Sequence, residues 1–206
     1  MASIKPIVEK LEDLFSVFNG RYYDGKLQRP VITVSQDVTS GAFGWLTSWK
    51  AWKEQGCDDG EGYYEINICA EHLTRPFEEV CATLLHEMVH LYNIQNDIKD
   101  TSRSGTYHNK KFKLVAEEHG LNIDQHEKYG WTITSLNDDA KEFISSMDEE
   151  GFTLSRTKMS KVEKAKGSKK SSSRKYMCPD CGVIVRATKE VRIICKDCDI
   201  ELELEE

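Results

Sequence analysis

Long apolar runs are absent from this 206-residue sequence, and their absence excludes a broad class of protein. A helix that spans a membrane needs about 18 or more consecutive apolar residues, and no segment approaches that length. The first residues, from Met1 to Pro6, also lack the apolar core of a secretory signal peptide. We therefore expect a soluble protein without membrane contact that is cytoplasmic or associated with the nucleoid.

A cysteine pattern typical of disulfides is lacking as well, although the sequence has seven cysteines. Three are scattered, and we expect them to be free thiols that are partly buried. These three are Cys57, Cys69 and Cys81. A redox dithiol is disfavoured for the other four, because they form two C-x-x-C pairs and no thioredoxin-like unit precedes them.

The two C-x-x-C pairs near the C-terminus predict a zinc ribbon. Thirteen residues separate the pairs, and this spacing is typical of a tetrahedral zinc site. Because thiolates fill all four positions, we expect this zinc to be structural. A ribbon of roughly thirty residues has too small a core to fold alone, so metal binding supplies its folding energy. The four predicted ligands are Cys178, Cys181, Cys195 and Cys198.

Charge is distributed unevenly along the chain, whose formal net charge is −7. Residues 1–155 carry 15 basic and 26 acidic side chains, whereas residues 156–175 carry nine basic side chains and one acid. Residues 176–206 carry four basic and eight acidic side chains. Since residues 156–175 are also almost devoid of apolar side chains, we predict a domain at 1–155, a flexible basic linker at 156–175 and the ribbon at 176–206.

The basic linker allows two interpretations. It is either a solvated spacer or an arm that binds the phosphates of nucleic acid without regard to sequence. The neighbouring ribbon favours the second interpretation, and the acidic domain would itself repel DNA. The predicted nucleic-acid-binding residues are Lys161, Lys164, Lys166, Lys169, Lys170, Arg174 and Lys175.

The motif H-E-x-x-H lies in an apolar segment that is free of glycine and proline over residues 77–96. We expect one uninterrupted helix here, with Thr74 as its N-cap. His86 and His90 are four residues apart, so they share one helix face and offer two imidazoles to one metal ion. Glu87 is placed to accept a proton from a zinc-bound water during hydrolysis. The competing interpretation is a solvated helix face that carries these residues by chance.

A catalytic zinc site uses three protein ligands and keeps one position open, so a third ligand is expected downstream. We favour His108, which follows a flexible Ser-Arg-Ser-Gly turn and directly precedes an amphipathic segment. A ligand in this place can approach the metal on the first helix. The competitors are His119, His126, Glu117 and Glu118.

Hydrophobic periodicity predicts an α+β fold for the N-terminal domain. Residues 6–19 form an amphipathic helix, and three short strands follow at 30–35, 42–49 and 63–69. We expect the helices to pack on a small antiparallel sheet. Aromatic residues in and after the second strand either fill the inner face of the sheet, which we favour, or stack on bases. These are Phe43, Trp45, Trp49 and Trp52.

Together these motifs resemble those of the SprT-like metallopeptidase family. The resemblance rests on the order of helix, Phe-Asn-x-x-Tyr-Tyr-Asp-Gly-Lys-Leu, sheet, H-E-M-V-H and Tyr-His-Asn-Lys-Lys-Phe, and it extends through the ribbon. It implies a zincin-like catalytic domain in which His108 is the third zinc ligand. One departure is Tyr-His-Asn, where many relatives have Gly-His-Gly; it bears on the loop and not on the ligand.

We therefore expect a zinc-dependent endopeptidase with two zinc ions, one catalytic and one structural, in which Glu87 activates water. A protein substrate is expected to add as a strand to an exposed sheet edge, which the sequence does not identify. The family includes Spartan-type proteases, which digest proteins crosslinked to DNA, so the resemblance implies DNA-directed proteolysis with DNA on the linker and ribbon. Two alternatives stay open: a nucleic-acid-binding or regulatory adaptor with an idle metal site, and a cytoplasmic peptidase indifferent to DNA. The oligomeric state is not predicted.

Overall fold

A computed structural model describes residues 2–37, 41–56, 58, 61–147, 151–157 and 173–205. The chain forms two compact units, Met1–Lys158 and Met159–Glu206. No helix in this described part of the chain is long and apolar enough to cross a membrane. Residues 158–172 of the predicted linker lie outside the described residues, and so does Cys57. The linker part includes five of the predicted nucleic-acid-binding residues: Lys161, Lys164, Lys166, Lys169 and Lys170.

The first unit has the mixed α+β architecture that the periodicity predicts, and its described residues form four α-helices, a short 3-10 helix at Ala70–His72 and two small sheets. Its helices are α1 (Lys5–Tyr22), α2 (Phe77–Gln95), α3 (Lys110–Glu118) and α4 (Asp138–Ser145). Its strands are β1 (Val31–Ser35), β2 (Gly44–Leu46), β3 (Glu65–Cys69), β4 (Thr101–Ser102), β5 (Tyr107–His108), β6 (Leu121–His126) and β7 (Gly130–Leu136).

The first sheet has the strand order β1-β3-β2. The pair β2–β3 is antiparallel, as predicted, but β1 pairs with β3 in parallel, so the sheet is mixed. Burial explains why β3 is central: Ile66, Asn67 and Ile68 are fully buried, and a strand that is covered on both faces belongs between two neighbours. The prediction of an antiparallel sheet therefore holds for one pair and fails for the other.

The core of the first unit contains one face of α1 and most of α2. The buried side chains of α1 recur at intervals of three and four residues, which is the spacing of one helix face. They are Ile7, Leu11, Leu14, Phe15 and Phe18. Helix α2 is apolar over a wider arc and is therefore held by packing on several sides. Its fully buried side chains include Leu84, Leu85, Met88, Val89 and Leu91.

Helix α2 is uninterrupted, as the absence of glycine and proline predicts. Its start differs from the prediction, because Pro76 and not Thr74 is the N-cap residue, and no side chain caps the helix. Proline disfavours helical backbone in the residue before it, so the helix begins only after Pro76. Glu78 and Glu79 lie in the first turn, where the helix dipole favours acidic side chains.

The second sheet has the strand order β4-β5-β7-β6. Strand β5 joins β7 through a parallel pairing of His108 with Gly130. Gly130 has φ = 76°, and a Cβ atom there would lie 2.2 Å from the carbonyl oxygen of His108. Only glycine permits this approach. The pairing therefore holds His108 against β7, and the glycine at position 130 determines where along β7 His108 lies.

The interpretation of the aromatic residues as filling of the sheet's inner face is wrong for three of the four. Phe43 is 46% exposed, Trp49 64% and Trp52 46%, whereas Trp45 is half-buried in β2. Strand β2 ends at Leu46, so both exposed tryptophans lie in the loop that follows it. Alternation along the sequence does not assign such residues to a sheet face.

The second unit contains five short strands around four cysteines. Three strands form a sheet of order β12-β8-β9, and β10 pairs with β11. The buried cluster is small: apart from two cysteines it contains Tyr176 and Leu202. The strands are β8 (Arg174–Met177), β9 (Ile184–Ala187), β10 (Ile194–Cys195), β11 (Ile200–Glu201) and β12 (Glu203–Glu205).

The two ends of the predicted linker belong to the compact units. The backbone N–H of Arg156 donates to the carbonyl of Ala70 at 3.0 Å, and its guanidinium pairs with the buried carboxylate of Glu71. At the other end, Arg174 and Lys175 form the first half of β8. Hydrogen bonding and ion pairing hold these residues, which composition alone assigned to a flexible segment.

Candidate metal centre

The three histidines that the sequence singles out come together in the structure. His86 and His90 lie one turn apart on α2, and His108 is the last residue of β5. The Nε2 atom of His108 lies 3.2 Å from Nε2 of His86 and 3.0 Å from Nε2 of His90. Among the described residues, these histidines and the four ribbon cysteines form the two clusters that can hold a metal ion.

The competitors for the third position have other surroundings. His119 stacks on the ring of Tyr23, with ring centroids 4.4 Å apart, and its Nδ1 donates to the carbonyl of Val115. His126 packs against Tyr129. The remaining competitors lie at the end of α3, where both are exposed to solvent: Glu117 and Glu118.

Hydrogen bonds at the outer ring nitrogens orient two of the three imidazoles. The Nδ1 atom of His90 lies 2.6 Å from the buried carboxylate of Asp100, which also accepts a 2.9 Å bond from the side-chain amide of Asn93. The Nδ1 atom of His86 lies 2.8 Å from the hydroxyl of Thr134 on β7. A carboxylate only accepts, so the Nδ1 atom of His90 carries the proton and its Nε2 lone pair faces the centre.

The donor set fits zinc. Zinc–nitrogen bonds of 2.0–2.1 Å in a tetrahedron place the nitrogens roughly 3.4 Å apart, close to the observed separations of 3.0 and 3.2 Å. Lone pairs that face each other at such distances repel unless a cation lies between them. The site therefore has the chemistry of a metal centre rather than that of a hydrogen-bonded network.

Phe112 forms the apolar floor of the centre. This residue of α3 is fully buried, and its ring centroid lies 4.6 Å from that of His86 and 4.7 Å from those of both His90 and His108. Helix α3 is fixed at its start by Asn109, whose side chain accepts from the N–H groups of Lys111 and Phe112. Because the cap directly follows His108, it restrains the backbone beside the third histidine as well as the start of the helix that carries Phe112.

Burial governs protonation in the centre. It lowers the pKa of His86 well below the ordinary value and that of His108 to about 4, and the neighbouring imidazoles act in the same direction. Both therefore stay neutral at pH 7, and the neutral imidazole is the form that binds metals. Burial raises the pKa of Glu87 to about 7, while His90 opposes the shift. A cation in the centre favours the carboxylate form of Glu87.

The edge strand β2 lies against Glu87. A Cβ atom added at Gly44 would lie 3.2 Å from Oε1 of Glu87, 3.0 Å from Cγ2 of Thr83 and 2.9 Å from the carbonyl oxygen of Asn67. Because β2 is the last strand of its sheet, its outer backbone edge pairs with no strand among the described residues.

The four cysteines of the ribbon form the second cluster. Cys178, Cys181, Cys195 and Cys198 present sulfur atoms within 4.8 Å of one another, as a tetrahedral zinc site requires. Hydrogen bonds to Cys178, chiefly from the backbone of Cys181, lower the pKa of its thiol to about 7. The cluster fits the predicted structural zinc.

The profile of the SprT-like family matches residues 11–129, more than half of the chain. This chain belongs to the SprT-like family. The matched region contains all three histidines of the centre and Glu87, so this SprT-like chain carries a metallopeptidase-like domain with candidate zinc ligands. No curated protein and no solved structure matches the chain.

Sequence reasoning missed several residues that surround the centre in this SprT-like chain. Phe112 follows His108 by four residues in an amphipathic segment, and this helical spacing was an available signal. Asp100 and Thr134 gave no such signal, because their contacts with the histidines depend on how α2, the following loop and β7 pack together. Asn93 acts one step further out, since its side-chain amide donates to Asp100.

Proposed function

We propose that this protein is a zinc-dependent endopeptidase that acts on DNA-associated or DNA-crosslinked proteins. One observation carries the proposal: three imidazole Nε2 atoms converge beside the buried carboxylate of Glu87. Membership of the SprT-like family supports peptidase chemistry. The adaptor alternative is disfavoured, because a structural or idle metal site has no use for a buried carboxylate next to its first ligand.

The chain's own residues divide the work of peptide hydrolysis. His86, His90 and His108 would hold zinc, which when bound supplies a Lewis acid for the scissile carbonyl and for water. Glu87 acts as the general base: its carboxylate takes a proton from the attacking water and later delivers it to the leaving amine nitrogen. Asp100 keeps the ring of His90 in one tautomer throughout.

The free edge of β2 is the proposed binding strand for the substrate. An extended polypeptide added to this edge hydrogen-bonds to the main chain of β2 whatever its side chains are. Gly44 lets the backbone of β2 approach Glu87, so a peptide bond held on this edge lies close to the general base. This arrangement supports an endopeptidase of broad sequence preference.

The distribution of charge supports a role for DNA. Residues 156–175 combine nine basic side chains with one acid, whereas the catalytic unit is acidic, so phosphate binding is expected on the linker and the ribbon. On the ribbon, Arg174 is exposed, and Lys175 pairs with Glu205. A protease of broad sequence preference has to be kept from other proteins, and dependence of cleavage on DNA would provide that restraint.

Cleavage of a DNA-binding protein by the zinc-loaded full-length chain tests the DNA role. We expect faster cleavage with single-stranded DNA, and the stimulation should fall steeply between roughly 50 and 200 mM salt. A variant with Lys169→Glu and Lys170→Glu should lose the stimulation and keep the basal rate. Equal rates with and without DNA would leave the peptidase and remove its DNA role.

A peptidase indifferent to DNA, with a ribbon that recruits a protein, is favoured by one feature of the ribbon. Its surface carries exposed aliphatic side chains, including Val183, Ile184 and Ile194. In addition, Arg192 is engaged by Glu201. Loss of substrate cleavage after substitution of these aliphatic residues, with DNA stimulation absent in the wild type, would support this second function.

A further inference from the structure

The loop that leaves β2 carries the sequence Trp49-Lys50-Ala51-Trp52-Lys53. We call residues 47–53 the tryptophan loop. Its two indoles are 64% and 46% exposed, which is unusual for the side chain with the largest apolar surface. The catalytic mechanism proposed above uses neither tryptophan.

Backbone and side-chain bonds brace this loop. At its start, the N–H of Thr47 donates to the carbonyl of Glu65, and the N–H of Glu65 donates to the hydroxyl of Thr47. At its end, Trp52 and Tyr63 exchange backbone hydrogen bonds of 3.1 and 2.8 Å. The indole N–H of Trp52 donates to the carboxylate of Glu65 at 2.8 Å. The indoles are therefore presented on a restrained segment, which lowers the entropic cost of binding.

Charge indicates which ligand this surface fits. The tryptophan loop itself contains two lysines and no acid, while Glu54 directly follows it and Glu65 accepts from the indole of Trp52. Lysines interleaved with exposed tryptophans suit single-stranded nucleic acid, because the indoles stack on unpaired bases while the ammonium groups attract phosphates. In duplex DNA the bases are stacked on each other and are not available to the indoles.

The ribbon does not offer this chemistry. Within its described residues 173–205 the single aromatic side chain is Tyr176, which is 4% exposed and whose hydroxyl accepts a hydrogen bond from the N–H of Val191. The ribbon can therefore supply cations but no stacking surface. If single-stranded DNA is to be distinguished from duplex, the catalytic unit must provide the distinction.

We propose that the tryptophan loop is a binding site for single-stranded DNA in which unpaired bases stack on Trp49 and Trp52. Lys50 and Lys53 contribute attraction for the phosphates. The loop continues from β2, the edge strand whose Gly44 lies against Glu87, so it belongs to the same unit as the metal centre. The proposal deepens the DNA-directed part of the proposed function, since it states which form of DNA brings a protein substrate to the catalytic unit.

The test measures binding of labelled oligothymidine and of a duplex of equal length to the full-length, zinc-loaded chain. With Trp49→Ala we expect about tenfold weaker binding of oligothymidine and unchanged binding of the duplex. Trp49→Phe, which keeps an aromatic face, should retain most of the affinity. Leu114→Ala is the matched control, because Leu114 is a 61% exposed apolar residue on α3, and it should bind both probes like the wild type.

Three results would overturn the proposal: unchanged binding of oligothymidine by Trp49→Ala, an equal loss for the duplex, or loss of DNA-independent cleavage alone, which would assign the surface to polypeptide. The assay needs no proteolysis, so an inactive protein would refute the peptidase and leave this site standing. Conversely, the variant with Lys169→Glu and Lys170→Glu should weaken both probes. If it does so while Trp49→Ala binds oligothymidine normally, the DNA role stands and the tryptophan loop is not its site.

Discussion

Asp100 is the residue outside the donor set whose contacts say most about the metal centre. Its buried carboxylate accepts hydrogen bonds from Nδ1 of His90 at 2.6 Å and from the side-chain amide of Asn93 at 2.9 Å. In addition, its backbone carbonyl accepts from the N–H of Asn109, the residue after His108. One residue thus orients a ligand on α2 and links the loop after α2 to the strand that carries the third ligand.

The substitution Asp100→Asn should weaken zinc binding at the histidine centre by about 10–100-fold, because a neutral amide holds the His90 tautomer less firmly. Competition with a chelator, after the ribbon site has been saturated, measures this affinity. Asp97→Asn is the matched control: Asp97 is an exposed carboxylate of the same loop, and its φ of 55° suits asparagine. Equal zinc affinity in the Asp100 and Asp97 variants would contradict the role given to Asp100.

Among individual residues, the sequence predicts the metal ligands but not the residues that orient them through hydrogen bonds. His86, Glu87 and His90 follow from helical spacing alone, because residues four apart must share a face. Asp100 and Thr134 could not be found in this way. Their positions depend on the loop after α2 and on β7, which packs on α2 only in the folded chain.

Among the elements, β2 is the strand that lies against Glu87, the proposed general base. Gly44 in β2 faces Thr83 and Glu87 at distances that leave no room for a methyl group. The backbone of Gly44 does not have positive φ, so space and not conformation requires glycine here. β2 is also the last strand of its sheet, and its outer edge is the one proposed above to bind a substrate strand.

Gly44→Ala should therefore lower the cleavage rate by at least about tenfold and reduce stability by about 1–3 kcal/mol, because β2 must move away from α2. Cleavage rates and denaturant unfolding measure the two effects. Gly20→Ala is the matched control, since a Cβ atom at Gly20 in α1 meets nothing within 4 Å. It should keep full activity and gain up to about 1 kcal/mol of stability. Wild-type activity in Gly44→Ala would mean that the contact of β2 with Glu87 does not matter for cleavage.

The sequence predicts helices better than sheets in this chain. Uninterrupted apolar periodicity identifies α2 over its full length, whereas strand order depends on which strand is covered on both faces. Burial of Ile66, Asn67 and Ile68 makes β3 central, and the parallel pairing with β1 follows only from the folded arrangement. The exposure of Trp49 and Trp52 could not be predicted either, because both lie beyond the end of β2, where alternation along a strand no longer applies.

For the molecule as a whole, the two units should depend on zinc in different ways. The SprT-like unit has a large core shared by α1, α2 and the sheets, whereas the buried cluster of the ribbon contains two cysteines, Tyr176 and Leu202. So small a core cannot stabilise a fold without metal. Removal of zinc should unfold the ribbon and leave the catalytic unit folded.

Cys195→Ser tests this difference. We expect the zinc content to fall from about two ions to about one per chain, with residues 173–205 becoming sensitive to added protease, because a structural zinc site supplies the ribbon's folding energy. The thermal unfolding of the catalytic unit should be unchanged. Cys81→Ser is a control with the same atom replaced outside both clusters, although it tests stability as well because Cys81 is fully buried. A ribbon that resists protease in Cys195→Ser would contradict the zinc dependence.

The measurement that tests the central claim most directly compares wild type with Glu87→Gln, with zinc content and cleavage of a DNA-binding protein determined on the same samples. We predict equal zinc content and a cleavage rate about 10²–10⁴-fold lower in the variant, because the amide cannot take a proton from water. Equal cleavage by both proteins, or no cleavage by a wild type that contains both zinc ions, would contradict a peptidase in which Glu87 is the general base.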